Sequence, residues 1–207
     1  MYILQARTGK RTPLAAVRIA VAMAEEWLID PRTALTRIAG IDPEALNEDR
    51  LDPGDASPLA TAVSASTGVA VGPIALDADA AKAAATGDAP ILVRAETSTG
   101  DIEGFGAAAG ILTATGSSTS HAAVIARQMG KVCLVACLTL AIDLAARTCT
   151  IGGRRFAEGA SIALDGNSGA VYAGPVPVMH GPLAEALAAI ERLRRLAEQA
   201  DAQLPAS

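Results

Sequence analysis

The sequence predicts an α/β fold, on three observations. Short apolar runs rich in β-branched residues alternate with helix-forming stretches. Aromatic residues make up only 2% of the chain although hydrophobic residues make up 51%, so the core is built from Ala, Val, Leu and Ile in closely packed elements. One of the apolar runs passes into a Gly/Ser/Thr loop that opens a helix. The chain has 207 residues and a formal charge of −5, long enough for one substantial domain with accessory segments. Scarce aromatics and mild acidity argue against a nucleic-acid partner. No stretch approaches the roughly 18 to 20 unbroken apolar residues needed to cross a bilayer, so no membrane partner is expected.

From the N-terminus, Met1 to Arg7 lacks a charged start followed by an apolar run, the mark of a secretory signal. Cys133, Cys137 and Cys149 are odd in number and show no Cys-x-x-Cys spacing, which predicts buried free thiols, a cytoplasmic setting and no metal site. Pro13 to Leu28 places Ala16, Ile19, Ala20, Met23, Ala24 and Trp27 at helical spacing, with Thr12 as N-cap and Pro13 at the first helical position. Ile41 to Leu59 shifts to Asp, Pro, Glu and Gly, the composition of turns or an exposed linker, and puts a domain boundary there.

Strands are expected at Val69–Leu76, Ile91–Arg94, Gly110–Thr113, Val132–Val135, Ser161–Gly166 and Gly169–Tyr172. Ala78 to Thr86 and His121 to Met129 have helix-forming composition, and Gly152-Gly153 signals a hairpin between extended arms. Gly174-Pro175-Val176-Pro177 stops the fold, leaving His180 in a connector. A final helix carries Leu183, Leu187, Ile190, Leu193 or Arg194, Leu196 and Ala197 on its apolar side.

Chemistry concentrates in Gly110 to Arg127, where a strand runs through Gly116-Ser117-Ser118-Thr119-Ser120 to His121 at the head of an Ala-rich helix. Unpaired backbone N–H groups and hydroxyls converge there, which suits an anion. An ordinary imidazole, with pKa near ~6.5, is mostly neutral at cytoplasmic pH, and a helix N-terminus disfavours its cation by roughly 0.3–1 kcal/mol. A neutral ring can act as a nucleophile. From the local pattern alone, an ordinary N-capping loop with a satisfied histidine is the favoured reading.

Thr119-Ser120-His121-Ala122-Ala123-Val124-Ile125-Ala126-Arg127 resembles the phosphohistidine signature of the PEP-utilising enzymes, in their dikinase branch. Ile91 to Ser98 followed by Asp101-Ile102-Glu103-Gly104, then Gly130-Lys131-Val132-Cys133, Leu164-Asp165-Gly166 and Val171-Tyr172-Ala173-Gly174, are similar to that branch's central domain. Leu4 to Thr12 resembles the end of its nucleotide-binding region, with Gln5 and Arg7 on the nucleotide side. The resemblance implies a three-layer β/β/α swivelling domain over 61–174, with helical extensions at 1–60 and 175–207. It implies a phosphoryl carrier: His121 accepts phosphate from a nucleotide site and passes it to pyruvate or PEP on a separate domain. Thr119, Ser120 and Ser118 steady the phosphate, Gly116 lets the backbone approach, Arg94, Glu96 and Asp101 shape the loop beside His121, and Arg127, like Arg94 and Glu96, counts as a supporting residue.

On this reading the chain is a partial phosphotransferase with no cofactor of its own. Mg²⁺ and ATP or PEP would sit on partner domains, an ATP-grasp nucleotide-binding domain and a PEP/pyruvate-binding barrel. The chain has no room for a further barrel of about 250 residues. Three positions depart from the family: Thr115 stands where the dikinases usually have Arg, Ser117 where they have Gly, and Ser118 where they have Met. Each charge-assisted bond lost with that guanidinium is worth roughly 1.5–3 kcal/mol, so transfer would be slower. The alternative is a non-catalytic regulatory or interaction module that retains the fold.

Overall fold

A computed structural model describes residues 12–182 and 184–202, without the side chains of 43, 99, 121, 122, 201 and 202. Gln5, Arg7 and Leu183 lie outside the described residues. The chain divides into two compact units, 1–48 with 180–207 and 49–179. The first unit thus draws on both ends of the chain, which the sequence reading treats as separate extensions.

In the first unit, helix α1 (Pro13–Glu25) begins at the expected cap: Thr12 Oγ1 accepts the Ala15 N–H at 3.3 Å. Asp30 caps a second helix, α2 (Pro31–Ile38), by accepting from the Arg32 and Thr33 N–H groups. The stretch expected to be a linker is partly structured. Pro43–Leu46 forms a 3₁₀ turn with Leu46 buried, and strand β1 (Asn47–Leu51) pairs with the last strand, β13 (Val178–Pro182). His180 accordingly lies in a strand. The closing helix α6 (Ala184–Ala202) packs with α1 and α2.

The buried faces of α1 and α6 match the expected ones in part: Ala20, Ala24, Leu193 and Ala197 are buried as expected, and the rest of each face is shifted. On α1 they are Val17, Ala20, Val21 and Ala24, while Trp27 lies beyond the helix at φ +59° and is 78% exposed. On α6 they are Ala186, Ala189, Leu193 and Ala197, with Leu187 outward. The large apolar residues Ile19, Trp27 and Leu187 point partly off the buried stripe because these helices meet largely through alanines, which let backbones approach closely.

The second unit is a mixed α/β structure built on one eight-stranded sheet. Its remaining strands are β2 (Ala60–Thr61), β3 (Val63–Ser66), β4 (Val69–Ala75), β5 (Ile91–Arg94), β6 (Gly110–Thr113), β7 (Val132–Val135), β11 (Ser161–Asp165) and β12 (Ala170–Ala173). The order is β2-β12-β11-β4-β5-β6-β7-β3. The edge strands β2 and β3 are separated only by Ala62, so the sheet curls nearly to closure. β4 to β7 run parallel, joined by α3 (Ala78–Ala84), α4 (Ile102–Ala107) and α5 (His121–Gln128), as parallel pairing requires. A separate meander of β8 (Ala141–Asp143), β9 (Thr148–Ile151) and β10 (Arg154–Ala157) turns at Gly152-Gly153, whose φ values of +58° and +80° match the predicted hairpin.

Period-two alternation sends successive residues of the central strands into two cores. Ile91, Val93, Leu112 and Leu134 join Ile151, Phe156, Ile162, Leu164 and Val171 in one. Leu92, Ile111, Cys133 and Val135 join Ala81, Phe105, Ala123 and Ala126 of the helices in the other. Strand edges are held close by glycine: a Cβ on Gly110 would lie 2.8 Å from the Ala70 Cβ. No helix among the described residues is long and apolar enough to cross a membrane.

The alanine-lined packing predicts that Ala24→Leu overfills the first unit, costing about 1–3 kcal/mol. Trp27→Ala should stay within about 0.5 kcal/mol of wild type. Urea denaturation of the two variants checks this, and a loss for Trp27→Ala exceeding that for Ala24→Leu would put Trp27 in the buried face.

Candidate functional site

The parallel strands β5, β6 and β7 end together, and their C-terminal loops carry the candidate residues. Arg94 closes β5 opposite Thr113 of β6. Beyond them, the Ala95 carbonyl accepts both the N–H of Thr115 at 3.0 Å and its Oγ1 hydroxyl at 3.1 Å. The Thr113 hydroxyl, buried, donates to the Thr115 carbonyl at 2.6 Å, and the Thr113 carbonyl accepts from the Cys137 N–H at 2.9 Å. The loop between β6 and α5 therefore starts from a fixed point. Thr115 spends its hydroxyl on this anchorage.

The rest of the loop is a tight turn into α5. Gly116 adopts φ +110°, a conformation that L side chains rarely take. The Ser120 N–H donates to the Ser117 carbonyl at 2.9 Å, and the hydroxyls of Ser117 and Thr119 lie 3.0 Å apart. Ser120 is the N-cap of α5, its Oγ accepting the Ala123 N–H at 3.4 Å. From within α5, Arg127 Nη2 donates to the Ser118 carbonyl at 2.6 Å and its Nε to the Ala123 carbonyl at 3.2 Å. His121 is the first residue of α5; its side chain lies outside the description.

Gly116, Ser118, Thr119, Ser120 and Arg127 are thus gathered around the start of α5. Two other predicted residues are placed differently. Arg94 turns into the fold: Nη1 donates to the Leu76 carbonyl at 2.9 Å, and Nε lies 3.2 Å from Asp101 Oδ1 at an angle too poor for a hydrogen bond. Asp101, buried, accepts in turn from the N–H and the hydroxyl of Ser98. Glu96 is exposed and makes no hydrogen bond or ion pair with another described residue.

Sequence reasoning missed a second ionic cluster. Arg147, at φ +50°, bridges the carboxylates of Asp77 and Glu158, and Glu158 Oε1 also accepts the Leu76 N–H at 3.0 Å. Leu76 is held on its N–H by Glu158 and on its carbonyl by Arg94. Only the positive φ of a non-glycine residue marks Arg147 as special, and the sequence does not display it. A hydrogen bond from the Ala80 N–H, with a further one from Arg147, lowers the Asp77 pKa below its ordinary value of 3.8.

The three cysteines are buried, and burial pushes the Cys133 and Cys149 thiols up to about 11, so both stay protonated at neutral pH. Among the described residues no group of three or more His, Cys, Asp or Glu is arranged to hold a metal. A groove of about 910 Å³ lies in the first unit, lined by residues that include Val17, Ile38, Leu46 and Ile190, with none of the loop residues.

A β-strand thus passes through a hydroxyl-rich loop to a helix headed by histidine, at the C-terminal ends of parallel strands. Residues 87–169 match the family model of the PEP-utilising enzyme, mobile domain. The whole chain is homologous to part of pyruvate, phosphate dikinase. It is 40% identical over 218 residues to pyruvate, phosphate dikinase 2 of Oryza sativa subsp. japonica, covering 100% of the chain and 24% of that protein. It is 41% identical over 213 residues to the chloroplastic enzyme of Flaveria bidentis, covering 99% and 22%. It is 43% identical over 180 residues to the enzyme of Clostridium symbiosum, covering 85% and 21%. The chain spans about a quarter or less of these curated relatives.

The lowered Asp77 pKa fixes a sign. Stability from this carboxylate is fully present above its unfolded value of 3.8 and is lost as pH falls toward the lower folded value. Asp77→Asn should therefore lower stability at pH 7 and flatten its decline below pH ~4, read as urea midpoints against pH. An unchanged acid limb would contradict this placement of the charge. Separately, Ser120→Ala should cost about 1 kcal/mol through loss of the cap on α5.

Proposed function

We propose that the chain is the phosphoryl-carrier domain of an enzyme of the pyruvate, phosphate dikinase type, with His121 as the carrier. The observation that carries this reading is the loop 114–120, tied to the end of β5 through Arg94 and Ala95 and ending at the first turn of α5, within a segment that matches the mobile-domain family. Unpaired N–H groups at the helix start and the positive end of its dipole favour a phosphoryl group there. The hydroxyls of Ser117 and Thr119 stand beside it.

Transfer consists of attack by a lone pair of an imidazole nitrogen on phosphorus. The donor P–O bond breaks and its oxygen leaves with the electron pair, as nucleotide phosphate or as the enolate of pyruvate, while a P–N bond forms. Running the step backwards onto the enolate regenerates PEP. Such a transfer is chiefly a matter of positioning and charge stabilisation, so it can be divided among domains. Mg²⁺, the nucleotide and PEP would be held by the ATP-grasp and barrel domains, and no step here is routed through a metal on this chain.

The competing reading, a non-catalytic interaction module, draws on Thr115: its hydroxyl is committed to Ala95 and it brings no charge to the loop. Incubation with PEP, Mg²⁺ and an active PEP-binding partner domain separates the two. The carrier reading predicts acid-labile labelling that His121→Ala abolishes, and a rise of about tenfold in rate for Thr115→Arg with Ser117→Gly. A wild type left unlabelled by a donor of proven activity, with labelling only in the double variant, would establish the module reading instead.

A further inference from the structure

We infer that Arg127 is a positioning residue for the carrier site, fixing the Gly116–Ser120 loop through the Ser118 carbonyl. The inference rests on the reading of His121 as the carrier. Arg127 lies six residues after His121 on α5, yet its side chain turns back toward the start of the helix. Nε takes the Ala123 carbonyl of its own helix, and Nη2 reaches beyond the helix start to the Ser118 carbonyl at 2.6 Å. A planar guanidinium making two bonds in fixed directions sets the loop relative to the helix. The single mobile ammonium of lysine does not reproduce that.

Two features separate this from an ordinary surface arginine. An arginine on a helix is normally stabilised by a carboxylate three or four positions away. Here those positions are Ala123, Val124, Gly130 and Lys131. None is acidic, and no carboxylate among the described residues pairs with Arg127. The guanidinium is therefore shared between its own helix and the loop, with no carboxylate drawing it away. Second, the bonded carbonyl is in the wrong place to be left free. Its oxygen carries partial negative charge, and Ser118 stands two residues before the Ser120 cap. Turned toward the helix start, that oxygen would repel an incoming phosphoryl dianion. Held by Arg127 it is neutralised, and the adjoining turn from Ser117 to Ser120 is held with it. Arg127 acts on the reaction through the loop and the field at its mouth.

Potassium phosphoramidate tests this on the chain itself, because it needs no partner domain. Its P–N bond breaks, ammonia leaves, and phosphorus bonds to an accessible imidazole. Tandem mass spectrometry then reads His121 against His180 in the same molecule. Arg127→Ala and Arg127→Lys should each lower the His121 rate by about tenfold relative to His180. Added ethylguanidinium should restore Arg127→Ala and leave wild type unchanged, which a merely destabilised fold would not show. NMR order parameters for Gly116 to Ser120 should fall in Arg127→Ala from about 0.85 toward 0.6. The inference is overturned if the rate ratio is unchanged in both variants, whether or not the loop loosens. If wild-type His121 takes phosphate from neither phosphoramidate nor PEP, the carrier reading fails. The order parameters then decide the role of Arg127 alone, and unchanged values overturn it.

Discussion

The Ala95 carbonyl, just beyond β5, accepts two donors from one residue of the neighbouring loop, the N–H and the hydroxyl of Thr115. With the Thr113 hydroxyl on the Thr115 carbonyl and the Cys137 N–H on the Thr113 carbonyl, it welds three parallel-strand ends into one edge. Each such bond is worth about 1 kcal/mol net. Together they remove the freedom that a loop of small residues would otherwise have. Everything downstream depends on that edge: the positive φ of Gly116, the turn from Ser117 to Ser120, the cap on α5 and the direction in which the helix starts. Chemistry by group transfer needs this kind of support, because a nucleophile displaced by an ångström loses much of its rate.

Beneath the edge, charge and small side chains divide the structural work. Arg94 with Asp101 and Ser98, and Arg147 with Asp77 and Glu158, grip the two ends of the Leu76 backbone from opposite sides. Leu76 itself is fully buried, so its polar backbone groups must find partners within the protein. The core around them contains Phe105, Phe156 and the three cysteines but otherwise relies on aliphatic residues and alanine. Glycines such as Gly110 sit where no Cβ fits. Such tight contact keeps the loop ends from shifting when the surface is engaged.

Much of this was legible in the residues. β5, β6 and β7 appear with the bounds their apolar runs imply, the Gly152-Gly153 hairpin turns where its glycines demand, and Thr12 caps the first helix. The loop at Gly116–Ser120 was visible because glycine and hydroxyl residues before an alanine-rich helix have a local physical meaning. The elements missed are those whose cause is not local. β1 pairs with β13 across most of the chain, and its sequence, Asn47 to Leu51, looks like a linker. The faces of α1 and α6 are chosen by which alanines meet a neighbour, and no count of large apolar residues reveals that. Arg94 reads as a site residue but serves as an internal strut, because its position at the end of β5 aims it at Leu76 and Asp101. Arg127 stood in the signature without a partner, and only the folded loop supplied one.

On the proposed reading, position 121 carries phosphorus. The most direct measurement is ³¹P NMR of the protein, labelled with ¹⁵N in histidine and treated with PEP, Mg²⁺ and an active PEP-binding partner domain at neutral pH. The account predicts a single phosphoramidate resonance coupled to an imidazole nitrogen assigned to His121. A protein-bound signal coupled to His180, or one with the shift of a serine or threonine phosphate, would contradict it.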